Sequence, residues 1–407
     1  MIDFKSVAEK YGTPTYLYDF DYYKTQFQNL QEAFRGRKSL IAYAIKSNSN
    51  LSVIKNFAEL GAGADCVSIG EVRRAFKVGI PKYKIIFSGV GKNDSEIREA
   101  IGLDILYINV ESFGELQRVE KIAKELNSEA RISVRVNPNI DPQTHPYIST
   151  GLHENKFGVD IETAKRIYIH SKKSENLNPI GIHFHIGSQL TQLEPIRESS
   201  EKIANLVRHL KVIDINLKFF DVGGGLGIQY SDEVTITPYD YAQALLSTLG
   251  GLDVTIVLEP GRYLTANGGY FLTSVLYEKQ NDGDKRFLIV DGGMNDLLRP
   301  SLYNAYHKIE FLVDGDTSVS DEKTKADIVG PICESGDFFG KDRYVPVDIK
   351  HGDLVVIHSA GSYGFVMASN YNTRGKPVEI AIQNDETRII RDRETFEDLI
   401  EKEEKYI

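Results

Sequence analysis

The stretch LIAYAIKSNSNLSVIKNFAELGAGADCVSIGEVRRAFKVG (40–79) holds the pattern on which the fold turns. LIAYAI (40–45) and AGADCVS (62–68) are short, nearly unbroken runs of small, β-branched and aromatic residues. Such runs mark parallel strands buried on both faces. NLSVIKNFAEL and GEVRRAFKVG, which follow them, space their apolar residues as helices do. Moving outward, the strand pattern recurs at KIIFS (84–88), DILYINV (104–110), RISVRVN (131–137), IGIHFHI (180–186), LKFFDV (217–222) and VTIVLE (254–259). Helical patterns separate these runs, which makes eight strands with seven intervening helices. That count predicts a closed (β/α)8 barrel of the TIM type, with 19–37 as the eighth helix, entering before the first strand.

After residue 262 the texture changes. YFLTSVLYE, RFLIVDGG, TKADIVG, DLVVIHSAG, FVMAS and VEIAIQ are separated by Gly, Asp, Asn and Pro, the pattern of an antiparallel β domain. The expected division is a barrel over 26–262 and a β domain, sandwich or barrel, over 263–407. The N-terminal segment 1–25 joins the second, because TPTYLYDF reads as a strand that pairs there. The chain closes on an amphipathic stretch, TFEDLIEKEEKYI.

Composition narrows the function. The 407 residues carry 48 Lys+Arg against 58 Asp+Glu, a formal charge of −10, and no basic block. That balance argues against a nucleic-acid or anionic-membrane surface. No apolar run approaches the length of a membrane span, and MIDFKSVAEKYG has none of the features of a secretory signal. The two cysteines, Cys66 and Cys333, cannot frame a disulfide scaffold and fit a reducing cytoplasm.

Barrel enzymes carry their sites at the C-terminal ends of the strands. Lys46 follows the first strand, and taken alone it reads best as a snorkelling surface residue. HFHIGSQ follows the sixth, with His183 and His185 on one face by alternation. DVGGGLG follows the seventh, with Gly223, Gly224 and Gly225 able to turn backbone N–H groups toward a phosphate; it lacks the GxGxxG spacing of a dinucleotide fold. EPGR follows the eighth, with Glu259, Gly261 and Arg262. No carboxylate or cysteine stands at ligand spacing from the two histidines, so no metal is expected. An amine, a phosphate cradle, a planar ring and a carboxylate on one barrel end match what pyridoxal 5′-phosphate (PLP) requires.

With YAIKSNSN (43–50), RVNPNIDPQTHPYISTGLHENKFG (135–158), HFHIGSQ (183–189), DVGGGLGI (221–228), EPGR (259–262), GGMNDLLRPSLYNAYH (292–307), GPICESGD (330–337) and GSYGFVMASNYN (361–372), the chain resembles the fold-type III PLP-dependent decarboxylases over almost its whole length. Within them it is most similar to the branch that acts on diaminopimelate. The resemblance implies decarboxylation of meso-2,6-diaminopimelate to L-lysine and CO2, the last step of lysine biosynthesis. It also implies Lys46 as the Schiff-base lysine and His185 as the ring stacked on the cofactor. Ser188, Gly223, Gly224, Gly225, Gly261 and Arg262 would surround the phosphate, and Glu259 would face the pyridine nitrogen. Arg262 and Arg299 would meet substrate carboxylates, with Tyr303 beside them. Cys333 corresponds to the proton donor, Glu334 to the ligand of the distal amine, and Tyr363 to a residue touching cofactor and substrate. Homodimers of the family place the CESGD segment in the neighbour's site. Ser362 and Gly268 depart from the family pattern without altering a proposed contact.

A same-fold decarboxylase of ornithine, lysine or carboxynorspermidine is the nearest alternative, and Arg299 discriminates against it, since ornithine has no distal carboxylate. Glu259 weighs against a racemase, because the related alanine racemases place an arginine at that position. The second domain weighs against a single-domain PLP-binding protein.

Overall fold

The computed structural model describes residues 2–141, 156–280, 285–313 and 322–407. The motif at 135–158 therefore lies partly outside the described residues, and its HPYISTG segment wholly so. After β1 (Thr15–Asp19) and a helix at Phe20–Ala33, eight strands follow: β2 (Ser39–Ala44), β3 (Gly63–Cys66), β4 (Ile85–Phe87), β5 (Tyr107–Val110), β6 (Ala130–Arg135), β7 (Leu177–His183), β8 (Phe219–Asp221) and β9 (Thr255–Leu258). All pair in parallel with their sequence neighbours, and β2 pairs with β9, Leu40 opposite Val257, to close the barrel. Six of the eight strands are shorter than the apolar runs that announced them, while β2 and β7 keep the length of theirs and start earlier. The run at 104–110, for example, enters β5 only at Tyr107, after Asp104 turns the chain in the left-handed region (φ 55°). β3, β4 and β5 are buried at every position. Within the barrel, Ala42, Ile86, Leu106, Tyr107, Ile180 and Val257 form one apolar cluster. Cutting Ile86 back to alanine there would cost about 2–5 kcal/mol.

The helices that follow the strands begin at polar caps. Asn50, Ser68, Asn93, Ser112, Asp160 and Thr237 each accept a backbone N–H of the first helical turn through the side chain. Each cap satisfies a donor that the helix start leaves unpaired, for about 1 kcal/mol. Because these caps follow the strands, the helix starts gather at the barrel's C-terminal face.

The chain divides into two compact units: Lys24–Gln229 with Glu233–Tyr263, and Met1–Tyr23 with Tyr230–Asp232 and Leu264–Ile407. The second holds a nine-stranded sheet built from β1, β10 (Gly269–Gln280), β11 (Arg286–Val290), β12 (Ile309–Leu312), β13 (Lys323–Val329), β14 (Phe338–Pro346), β15 (Leu354–Ile357), β16 (Val378–Gln383) and β17 (Glu386–Arg391). β1 pairs antiparallel with β10 and parallel with β16, so the N-terminal strand lies inside this sheet. β11 and β13 are also parallel; the other pairings are antiparallel. One expectation needs correction. FVMAS forms a 3-10 turn (Phe365–Met367) rather than a strand. The amphipathic C-terminal stretch is a helix, Phe396–Glu404, capped reciprocally by Thr395 and Asp398, with none of its residues buried. No helix of the described residues is long and apolar enough to cross a membrane.

Candidate active site

Lys46 stands just past β2, in a 3-10 turn (Ile45–Ser47). Its Nζ lies 3.2 Å from Oδ2 of Asp65 on β3. The lysine side chain is 39% exposed and the carboxylate not at all. Burial, then the charge of Glu259, raises the Asp65 carboxyl, while Lys46 pulls the other way. The lysine is thus tethered at the barrel mouth by a residue inside the wall, which removes the snorkelling reading.

Glu259 follows β9 and is 6% exposed. Its Oε2 lies 3.2 Å from Nε2 of His183, the last residue of β7, which is 1% exposed. Its Oε1 is buried and has no hydrogen-bond partner among the described residues. Burial works against the charge, but His183, by charge and hydrogen bond, and then Lys46 outweigh it and hold Glu259 well below the usual carboxylate range. Asp221 at the end of β8 goes the other way. Burial, then the charge of Glu259, pushes its carboxyl well up. Its two oxygens accept hydrogen bonds from Tyr107 Oη and Gly223 N, each at 2.9 Å. Like charges in a dry site oppose one another's ionisation, so Glu259 holds its charge more readily than Asp221. One ligand atom from each of His183, Asp221 and Glu259 fits within 4.8 Å, a metal-like spacing. These side chains are engaged with one another, with Tyr107 and with Gly223.

β7 ends at His183, so His185 lies in the following loop and the alternation that paired their faces stops short of it. His185 sits against Gly223. Desolvation, then the charges of Arg135 and Lys46, push its imidazole well below its usual range, leaving a neutral ring near pH 7. The glycine run has a steric reason of its own. A Cβ on Gly224 would strike the carbonyl of Glu259, and one on Gly225 (φ 109°) would strike that of Gly187. Glycine lets the loops after β7, β8 and β9 close on one another. Arg262 is buried and donates to Ser188 Oγ from Nε at 3.2 Å and Nη2 at 3.0 Å, while Gly261 packs on Ser47. Lys46, His185, Ser188, Gly223–Gly225, Glu259, Gly261 and Arg262 are therefore gathered on the loops at one barrel end.

The remaining predicted residues lie on the β unit. Arg299 and Tyr303 open and close a short helix, Arg299–Tyr303, with Arg299 7% exposed. Cys333 and Glu334 are exposed on a loop clamped by buried Asp337, whose carboxylate accepts from Met294 N and Ile332 N, each at 2.7 Å. Cys333 N donates to Asn372 Oδ1 at 2.9 Å. Tyr363 sits at φ 56°, costly for a bulky side chain and held by its surroundings. Next to it, buried Ser362 shares a hydrogen bond with Thr265.

Asp65, His183 and Asp221 were not chosen from the sequence as site residues. The signal for the carboxylates was present: an acidic residue inside an apolar strand run must be paired when buried.

A family model described as pyridoxal-dependent decarboxylase, pyridoxal binding domain, matches residues 21–266. The chain is similar to the diaminopimelate decarboxylase of Campylobacter jejuni, 55% identical over 407 residues and covering 100% of each chain. That of Helicobacter pylori strain J99 is 54% identical over 400 residues, 98% of this chain and 97% of the other. Among solved structures, the crystal structure of diaminopimelate decarboxylase from Helicobacter pylori complexed with L-lysine superposes with a TM-score of 0.95 at 53% identity, covering 99% of this chain and 100% of that one. On the barrel, the buried charges at its mouth and these likenesses, the chain belongs to the diaminopimelate decarboxylase family of pyridoxal-dependent decarboxylases.

Proposed function

We propose that this chain converts meso-2,6-diaminopimelate to L-lysine and CO2 with PLP as its cofactor. The observation that carries the reading is Glu259: a buried carboxylate with Oε2 3.2 Å from His183 Nε2 and Oε1 unpartnered among the described residues. Such an atom at a barrel mouth suits a protonated ring nitrogen. PLP supplies an electron sink for the charge left on the α-carbon when CO2 departs. Lys46 offers the amine that holds the cofactor and, when released, a proton carrier near that carbon. The neutral ring of His185 offers a flat face. Ser188, Gly223, Gly224, Gly225, Gly261 and Arg262 supply the phosphate's donors. Arg262 and Arg299 bind carboxylates, with Tyr303 beside them, and Glu334 binds the distal ammonium. Cys333 delivers the proton that replaces CO2, and Tyr363 touches cofactor and substrate.

In this reading the protein works as a C2 homodimer whose CESGD loops complete each other's barrel sites, and it resides in the cytoplasm. The exposure of Cys333 and Glu334 within one chain supports the first point. Two free cysteines support the second. The test is to incubate the purified protein with PLP and meso-diaminopimelate, ornithine, lysine or carboxynorspermidine, measuring CO2 and product. Lysine formed from diaminopimelate is expected; faster release from ornithine or lysine would overturn the substrate assignment.

A further inference from the structure

Arg299 has an anchor with a defined chemistry. Its Nη1 lies 3.0 Å from Nε2 of His307, which is wholly buried. The other ring nitrogen, Nδ1, lies 2.8 Å from the carbonyl oxygen of His358. A carbonyl only accepts, so Nδ1 carries the hydrogen; a guanidinium only donates, so Nε2 is bare. These two bonds admit one state of the ring, neutral with Nδ1 protonated. A doubly protonated ring would set N–H against N–H and cation against cation. Tyr230 completes the group. Its ring centroid is 5.1 Å from Arg299 Cζ, and the His307 ring meets it edge-on at 5.7 Å. All three residues belong to the β unit, Tyr230 through the short excursion Tyr230–Asp232.

The choice of a neutral acceptor has a consequence for binding. A carboxylate in the place of His307 would also fix the guanidinium, but would cancel the charge that draws a substrate carboxylate. An unprotonated imidazole orients Arg299 and leaves its charge undiminished. We propose that His307 is a positioning residue that sets specificity, accepting a hydrogen bond from Arg299 so that the guanidinium stays oriented and fully charged for the far carboxylate of a dicarboxylic substrate. This rests on the reading of Arg299 as a substrate ligand.

The reaction provides a probe. The end of diaminopimelate that does not react keeps its carboxylate, so L-lysine carries the group Arg299 would hold, and cadaverine lacks it. The experiment measures kcat and KM for meso-diaminopimelate, with inhibition constants for L-lysine and cadaverine. The proteins compared are the PLP-loaded wild type, His307→Leu, His307→Gln, His307→Glu, Arg299→Ala and the double variant His307→Leu/Arg299→Ala. His307→Leu is expected to raise KM and the lysine constant by about 10- to 100-fold, with a much smaller change in kcat and in the cadaverine constant. His307→Gln, which restores a neutral acceptor, should return both to within a few-fold of wild type. His307→Glu should not, and the double variant should be no worse than Arg299→Ala. If Arg299→Ala weakens lysine and His307→Leu does not, or if Gln fails to rescue, positioning by His307 is wrong while Arg299 stands. If Arg299→Ala leaves KM and the lysine constant unchanged, the reading of Arg299 itself falls. Should His307→Leu not fold, the contrast between Gln and Glu decides, and equal behaviour of those two overturns the proposal.

Discussion

At the barrel mouth, Glu259, His183, Asp221 and Asp65 are 6%, 1%, 0% and 0% exposed, and each is bonded to another part of the wall or mouth. On the β unit, Cys333 and Glu334 stand exposed on a loop, and the same loop's stability rests on Asp337 behind them. The difference is one of constraint. Buried charge is tolerated only where partners compensate it, so the barrel residues hold their positions and protonation states from the fold itself. The exposed loop residues are under no such demand, and what they do depends on what they meet.

The largest expected effect breaks the barrel side. Lys46→Ala should lower turnover by about 1000-fold or more, because it removes the attachment amine and the proton carrier together. Borohydride reduction of the PLP-loaded wild type should leave label on the peptide holding Lys46; label elsewhere would remove the barrel mouth as the site. Arg299→Ala comes next, since losing a charged partner costs about 2–5 kcal/mol of transition-state binding. Its kcat/KM for diaminopimelate should fall accordingly while PLP affinity holds, and a matching loss of PLP affinity would blur the contrast between the two regions.

Mixing tests whether the exposed loop serves another chain. Lys46→Ala and Glu334→Ala, each nearly inactive, form about half mixed dimers on random exchange, with one intact site in two. Roughly a quarter of wild-type activity should return. No recovery, with exchange confirmed by mass spectrometry, would place Glu334 in its own chain's site.

The smallest effect concerns stability at the rim of the mouth. Burial, opposed by a hydrogen bond from Val67 N at 2.7 Å, raises Glu71 to about 7. A folded value above the unfolded 4.5 means the native state holds this proton longer. The associated stability is full below pH 4.5 and is lost as pH rises through about 7. Between pH 5 and 8 the wild type should therefore lose up to about 3 kcal/mol more than Glu71→Gln in denaturant titrations. Parallel pH curves would show that Glu71 is not strained by its setting.

Much of this was legible without coordinates. Strands hydrophobic on both faces need helices outside them, the count of eight such units pointed to a closed barrel, and TPTYLYDF was recognisable as a strand of the other domain. Lys46, the glycine run and Glu259 each followed a strand, and barrel geometry alone gathers strand ends on one face. Less was visible where local pattern and tertiary setting part. FVMAS reads as a strand yet turns as a 3-10 segment, and His185 falls past the end of β7, where alternation has no force.

The sequence by itself determined which residues line the barrel end, since the strand period and the turn residues are local properties of the chain. Only the tertiary structure decided their chemical states. Glu259 is held down by His183 and Lys46, while burial and the charge of Glu259 push Asp221 up against the bonds from Gly223 and Tyr107. His307 is a bare-Nε2 acceptor because Arg299 and the carbonyl of His358 flank its ring. Protonation and tautomer depend on distances between groups far apart in the chain, and no reading of neighbouring residues contains those distances.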